Sequence, residues 1–511
     1  MKILKSLFIY FFCIALVFNF TSCEKETNVG VYFMTDTKIS TFDPQLASTK
    51  AELSYAYNCF DCLFGYDKDG NLIKNPILNE YSVSDDGLTY TFTLHNDTFW
   101  NDTEILVTAA DFEFGLKRAV AKETKASFAG LLSAVSGFDE VNQGGDTSEL
   151  GVSSSGKVLT IKLSKKDDGF LNALAHPISA PCNEEYFVGT KGKYGLDIEH
   201  ILSNGPYFVK SVNENDSSIT MHSVDERDMP LNYVKIIFNA APEDITLAAK
   251  ENTYNIYTSS DDIFLKYTEG KGNTYDLYDT TYCLYASENL ETDDVDIAKM
   301  LFSDIDKSTL SINLTDYAKN TDSIIASDLN IGAELYKEID KSIEISTYDK
   351  PKSLELRGND KGTFDYLSDL VLYYPNNSVA KTYASLVTQT WQKDLNAYIN
   401  IQPYDVSDLD AVLNPEDEDQ PVLAIIPVTS SDFTAKGAIN NLSNYNIGVT
   451  GVDYYNADGI VSYQQTLIDN YTLYPLFETA TRYITDGKIS FMNFTSYGGV
   501  IDFRYLTKAE E

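Results

Sequence analysis

The stretch FWNDTEILVTAADFEFGLKRAV, residues 99–120, reads as a turn feeding a helix. Val107 leads into Thr108-Ala109-Ala110-Asp111, a capping box whose hydroxyl and carboxylate satisfy the first free amides of a helix. Phe112, Leu116 and Ala119 or Val120 then recur on one face, which predicts a helix through Val120 with that stripe turned inward. Just upstream the period falls from near 3.6 to 2. Leu88, Tyr90, Phe92 and Leu94 alternate with Thr89, Thr91, Thr93 and His95 behind an Asp86-Gly87 hairpin signal. Downstream, GKVLTIKL at 156–163 alternates Leu159, Ile161 and Leu163 and predicts another strand. Strands and capped helices following one another in this way make an α/β chain.

Working outward to the N-terminus, VGVYFM at 29–34 predicts a first strand, and STFDPQLAST at 40–49 supplies turn chemistry through Asp43 and Pro44. Thr49-Lys50-Ala51-Glu52 is a second capping box, and Leu53, Tyr57, Phe60 and Phe64 continue at helical spacing. Before these lies LFIYFFCIALVFNF, residues 7–20, preceded by Lys2 and Lys5. That run is short for a bilayer span, which needs ~20 residues, and predicts a removed leader, residues 1–22. Phe20-Thr21-Ser22-Cys23 lacks the small −3 residue of a general signal peptidase site. It resembles a bacterial lipobox, although Leu is commoner than Phe20, which makes Cys23 the lipid-modified N-terminus. A plain leader with an incidental cysteine is the alternative.

Working toward the C-terminus, Gly205 and Pro206 stop any helix and start a long hairpin from Tyr207. Helices over 296–305 and 379–396 alternate with the strands DLVLYY and QPVLAIIPV, and NPEDEDQP at 414–421 is a solvated loop. No internal repeat appears. A length of 511 residues argues for two or three lobes, since single cores rarely grow past about 250–300 residues.

With 76 acidic against 39 basic residues, the formal charge is −37. Such a surface excludes nucleic acid as a partner, because phosphate binding depends on Lys and Arg clusters. Cys59, Cys62, Cys182 and Cys283 allow disulfides, free thiols or, through Cys59-Phe60-Asp61-Cys62, a redox or metal role. No second CxxC and no His pair accompanies that motif, and His95, His176, His200 and His222 are scattered, so no metal and no cofactor are expected. No Gly-x-Ser-x-Gly or His-Glu-x-x-His appears and no Ser-x-x-Lys stands in a convincing setting, so an enzyme is not expected.

STFDPQLAST, residues 99–120, SNGPYFV (203–209), DVDIAKMLFSDIDK (294–307) and FTSYGGVIDFRYLTKAE (494–510) stand in the order seen in bacterial extracellular solute-binding proteins of family 5. The chain resembles these oligopeptide and dipeptide receptors of ABC importers over nearly all of its length after the leader. It departs where Trp100-Asn101-Asp102-Thr103 lacks the family's turn glycine and where Ala298 replaces an Arg. The resemblance implies a type II (cluster C) periplasmic-binding-protein-like α/β fold, two facing lobes with an additional domain. By the same resemblance, lobe I combines 24–65, 178–280 and 477–511, lobe II is 66–177 and lobe III is 281–476.

It also implies an oligopeptide ligand, an ABC permease and ATPase as partners, and a monomer. The receptor would be lipid-anchored to the outer face of the bacterial cytoplasmic membrane, in the periplasm where an outer membrane exists. In the family an acidic side chain after a lobe III strand meets the ligand's ammonium. TSSDFTAKGAI, following VLAIIPV, nominates Asp432 as that anchor, with Phe433 beside it and Ser430 and Ser431 offering backbone groups. KASFAGLL (125–132) is expected to supply the opposite wall through Phe128, whereas Tyr207, Trp100 and Trp391 look structural. A non-peptide solute (sugar, metal chelate) or a signalling peptide is the alternative ligand, and a secreted hydrolase or an adhesin the alternative class.

Overall fold

The computed structural model describes residues 29–508 except 102, 225–228, 292–294, 311–314, 332–333, 340–342, 346–347, 360, 418, 431–432, 451–455 and 492–499. Two strands of 13 residues each, Thr274–Ala286 and Leu473–Thr485, run antiparallel through the middle of an 11-stranded sheet. On one side of them lie Leu423–Thr429, Val371–Pro375 and Asn400–Tyr404; on the other lie Ile256–Thr258, Gly30–Thr35, Tyr233–Ile237, Ser218–Ser223 and Tyr207–Asn213, and the eleventh strand, Ala318–Asn320, pairs with Leu473–Thr485 off this path. Away from the central pair the pairing turns parallel, between Gly30–Thr35 and both its neighbours and between Val371–Pro375 and both of its own. Parallel strands covered on both faces read as unbroken apolar runs, as LAIIPVT does. Its Leu423 and Ile425 enter one hydrophobic core and its Ala424 and Ile426 another, on opposite faces of the sheet.

A separate antiparallel sheet orders Leu78–Val83, Thr89–Leu94, Val158–Lys162 and Val152–Ser155. Phe92, Leu159 and Ile161 are fully buried in it, and helix Ala109–Val120 packs alongside with Phe112, Leu116 and Ala119 turned inward. Both capping boxes form. Thr49 N donates to Glu52 Oε2 at 3.1 Å and Glu52 N to Thr49 Oγ1 at 3.1 Å. Thr108 N donates to Asp111 Oδ2 at 2.7 Å. Helix Lys50–Cys59 nevertheless stops before Phe60 and Phe64, although the spacing carried on through them. Tertiary bonds take over there: Cys59 O accepts from Gly205 N at 2.9 Å, and Asp61 exchanges two hydrogen bonds with Asn204. Phe60 and Phe64 stay buried from extended backbone.

The recognisable motifs meet in one place. Arg118 of the opening stretch donates to Asp43 Oδ1 at 3.0 Å and to Gln45 Oε1 at 2.5 Å, clamping the turn at 40–49. Asn58 bonds Ile501 O and Phe503 N of the C-terminal motif, and the Tyr207 hydroxyl reaches Phe503 O. Thr103 closes its turn with its side chain: its hydroxyl donates to Trp100 O at 2.9 Å and accepts from Ile105 N at 3.1 Å. Trp100, Tyr207 and Trp391 are fully buried, in keeping with their structural reading.

Candidate functional site

Strand Leu423–Thr429 delivers the chain to a tight turn before helix Ala435–Asn444. Ser430 Oγ donates to Thr434 O at 2.8 Å and accepts from Thr434 N at 3.0 Å, so the turn is closed by its own side chain. Thr434 then caps the helix by accepting from Gly437 N at 2.9 Å. Inside the turn Phe433 adopts φ +57°, a left-handed backbone that costs a bulky side chain of order 1 kcal/mol or more. Its ring compensates by packing against two hydrophobic cores at once: the one shared by the four-stranded sheet and the Gly30–Thr35 side, and the one behind Leu423–Thr429. Asn330 N holds Phe433 O at 3.0 Å from the other side.

Of the nominated residues, Ser430 and Phe433 therefore lie together in this turn. Ser431, Asp432 and Cys23 lie outside the described residues. Phe128 is 3% exposed and belongs to a hydrophobic core, its ring 4.6 Å from that of His176. The first nominated segment makes a contact next to the second, through side chains that sequence reasoning missed. Lys436, two residues past the cap, puts Nζ 3.2 Å from Asp167 Oδ2 and 3.4 Å from Ser133 Oγ, and Ser133 directly follows KASFAGLL. The missed signal was a lysine in the first turn of a helix, where the positive end of the macrodipole disfavours a cation and calls for a counter-charge from elsewhere.

Charges also stitch the central strands. Lys50 pairs with Asp279 at 3.1 Å, and Thr481 donates to the same carboxylate at 2.6 Å. Arg482 grips Asp276 with two 2.6 Å bonds and Asp316 with a third. Asp328 accepts from Tyr278 N at 2.7 Å and pairs with Lys337 at 2.6 Å, tying the segment that carries Asn330 to the central pair.

The buried histidine and cysteines are uncharged. Burial pulls His176 down to about 3, so it is neutral, and its Nδ1 accepts from Ile178 N at 3.0 Å. Cys59, Cys62, Cys182 and Cys283 are free and buried; burial pushes Cys62 and Cys182 up to about 12, which keeps them as thiols. Among the described residues no group of three or more His, Cys, Asp or Glu is arranged to hold a metal ion, and no helix is long and apolar enough to cross a membrane.

Residues 71–446 match the family described as bacterial extracellular solute-binding proteins, family 5 middle. The dipeptide-binding protein of Lactococcus lactis subsp. cremoris is 29% identical over 194 residues, 37% of this chain and 35% of the relative. Oligopeptide-binding protein AliA of Streptococcus pneumoniae is 33% identical over 165 residues, 30% of this chain and 24% of the relative. The chain thus spans about a quarter to a third of the length of these curated relatives. The solved structure of Listeria monocytogenes OppA bound to peptide superposes with a TM-score of 0.68 at 17% identity, covering 95% of this chain and all of the other. Haemophilus influenzae OppA gives a TM-score of 0.69 at 17% identity and covers 95% of this chain and 100% of the other. The fold is a type II periplasmic-binding-protein-like α/β fold. With most of its length matched by the family, the chain belongs to the bacterial extracellular solute-binding proteins of family 5, which bind solutes and are not enzymes.

Proposed function

We propose that this protein captures short peptides between two closing halves and presents them to an ABC permease and its ATPase, held at the membrane by lipid on Cys23. One observation carries the reading: the strained turn at Phe433 stands where the core of one half meets the core of the other. Two long strands cross between these halves, and in this reading motion about them brings the turn and the opposite wall together or apart. In this reading 24–65, 178–280 and 477–511 form lobe I, 66–177 lobe II and 281–476 lobe III. Asp432 meets the ligand's ammonium, and main-chain groups of Ser430 and Ser431 pair with its backbone as a strand adds to a sheet edge.

The relatives named as dipeptide- and oligopeptide-binding proteins support a peptide ligand. A peptide mixture should raise the melting temperature of the purified protein, because a ligand that binds only the folded state stabilises it by mass action. Asp432→Asn should weaken free-amine peptides more than their N-acetylated forms; equal loss for both removes Asp432 from the anchor role. Absence of any thermal or calorimetric response across a broad peptide mixture refutes the peptide reading. Cys23→Ser should move the protein from the membrane to the soluble fraction, and an unchanged distribution refutes the anchor.

A further inference from the structure

A cavity of about 1240 Å³ lies between the part built on the four-stranded sheet and the outer end of the 11-stranded sheet, and none of its described lining residues belongs to the Phe433 turn. One wall is a hairpin that follows strand Thr89–Leu94. The bridge of Phe99 to Leu106 and two bonds of 2.9 Å, Val107 N to Thr98 O and Trp100 N to Ile105 O, close that hairpin, and it brings Asp97 and Glu104 to the cavity. The other wall is the outermost strand of the large sheet, Tyr207–Asn213, which brings Phe208 and Lys210. Asn101 ties the walls together just ahead of that strand, its N donating to Ser203 O at 2.7 Å and its Nδ2 to Gly205 O at 3.0 Å. The fold thus fixes the gap, and a ligand has little to order on arrival.

The charges around the gap are separated by wall. Among the described residues Asp97, Glu104 and Lys210 form no ion pair, so acid on one side and base on the other face the cavity uncompensated. A molecule with an ammonium at one end and a carboxylate at the other answers both. Its size follows from the volume: about 1240 Å³ is roughly 11 Å across if equally wide in all directions, the reach of three extended residues at ~3.3–3.6 Å each. Half-buried Phe208 and exposed Phe99 offer apolar faces to its side chains. Trp100, fully buried, also lines the cavity, and its Nε1 has no hydrogen-bond partner among the described residues, although a buried indole N–H usually finds one. We propose that this cavity is a second binding site, for a short zwitterionic peptide whose ammonium meets Asp97 and Glu104 and whose carboxylate meets Lys210. It requires neither the closing motion nor the Asp432 anchor of the reading under Proposed function.

Trp100 is one of two tryptophans, and the other, Trp391, is buried with its Nε1 donating to Leu301 O at 3.0 Å. Trp391→Phe therefore makes tryptophan emission a report on the cavity, with circular dichroism to verify folding. The probes are trialanine, N-acetyl-trialanine and trialanine amide. Trialanine should change the emission saturably, and each blocked form should bind about threefold to fivefold more weakly, the worth of one exposed charge pair. Asp97→Asn with Glu104→Gln should bring trialanine down to the acetylated form, and Lys210→Met should bring it down to the amide. Asp432→Asn should leave the Trp100 response unchanged. Calorimetry of trialanine binding to the protein with both tryptophans intact repeats the comparison, so the outcome does not depend on the folding of Trp391→Phe. No response to trialanine in either measurement overturns the site, as does a response that the cavity variants leave intact or that Asp432→Asn abolishes. A Trp100 response lost in the cavity variants, beside no effect of Asp432→Asn on any peptide, leaves this site standing and removes the Asp432 anchor.

Discussion

Asp304 sits at the end of helix Ile297–Ser303 with no exposed surface, and neither carboxylate oxygen has a hydrogen-bond partner among the described residues. Nearby Asp394 takes the available cation, accepting from Lys350 Nζ at 2.5 Å and from the Tyr348 hydroxyl at 3.0 Å. Burial, then the charge of Asp394, push Asp304 up to about 7. An unfolded Asp titrates near 3.9, so between roughly pH 4 and 7 the native state holds a proton that the unfolded chain has lost. The contribution of this group is therefore fully favourable below about pH 4 and declines as pH rises through 7. Three units at about 1.4 kcal/mol each set an upper limit of ~4 kcal/mol for the decline. Asp304→Asn removes the titration while keeping the shape. Melting temperatures of wild type and variant from pH 4 to 8.5 should diverge, with the variant gaining steadily on wild type above pH 5. Every other titration is common to both proteins and cancels in the difference. Parallel profiles, with a constant gap at all pH values, would refute the reasoning.

Three further outcomes follow from the fold. Arg118→Ala strands the buried Asp43 carboxylate and should destabilise the protein by about 3–5 kcal/mol in urea unfolding, whereas Arg118→Met with Asp43→Asn should recover most of the loss. Gly205→Ala brings a methyl within 2.5 Å of the Cys59 carbonyl carbon, so helix Lys50–Cys59 must shift and the melting temperature should fall sharply; an unchanged value would contradict the packing there. Alkylation followed by peptide mass analysis should leave Cys59, Cys62, Cys182 and Cys283 unmodified in native protein and modify all four once it is unfolded, because burial hides them and disfavours their thiolates.

Local physics wrote much of the fold into the chain. Both capping boxes, the alternation at 88–95 and 158–163 and the buried tryptophans are short-range or composition-level signals, and they appear where their residues predict. The helix that ends early at Cys59 shows the limit. What stops it is Gly205 and Asn204, some 145 positions away, and no window of sequence contains both partners. The site was less legible for a further reason. Motif residues that looked most informative bond inside the protein, Arg118 to Asp43, Asn204 to Asp61 and Phe503 to Asn58, and report architecture. A surface that pairs with a ligand's backbone does so through main-chain groups that every residue carries, so it leaves no side-chain signature. Lys436 and Asp167 were missed because each is an ordinary residue alone, and only the folded chain brings them within 3.2 Å.

The two buried pairs, Arg118–Asp43 and Lys436–Asp167, have similar chemistry and different reach. Arg118 and Asp43 pack beside one shared core, so separating them disrupts it, and their pairing specifies how the turn at 40–49 meets helix Ala109–Val120. Lys436 and Asp167 join segments built on different sheets, so their pairing fixes how the helix after Phe433 seats against the part built on the four-stranded sheet. Desolvation consumes most of the attraction in both, so each pair sets geometry more than it adds net stability.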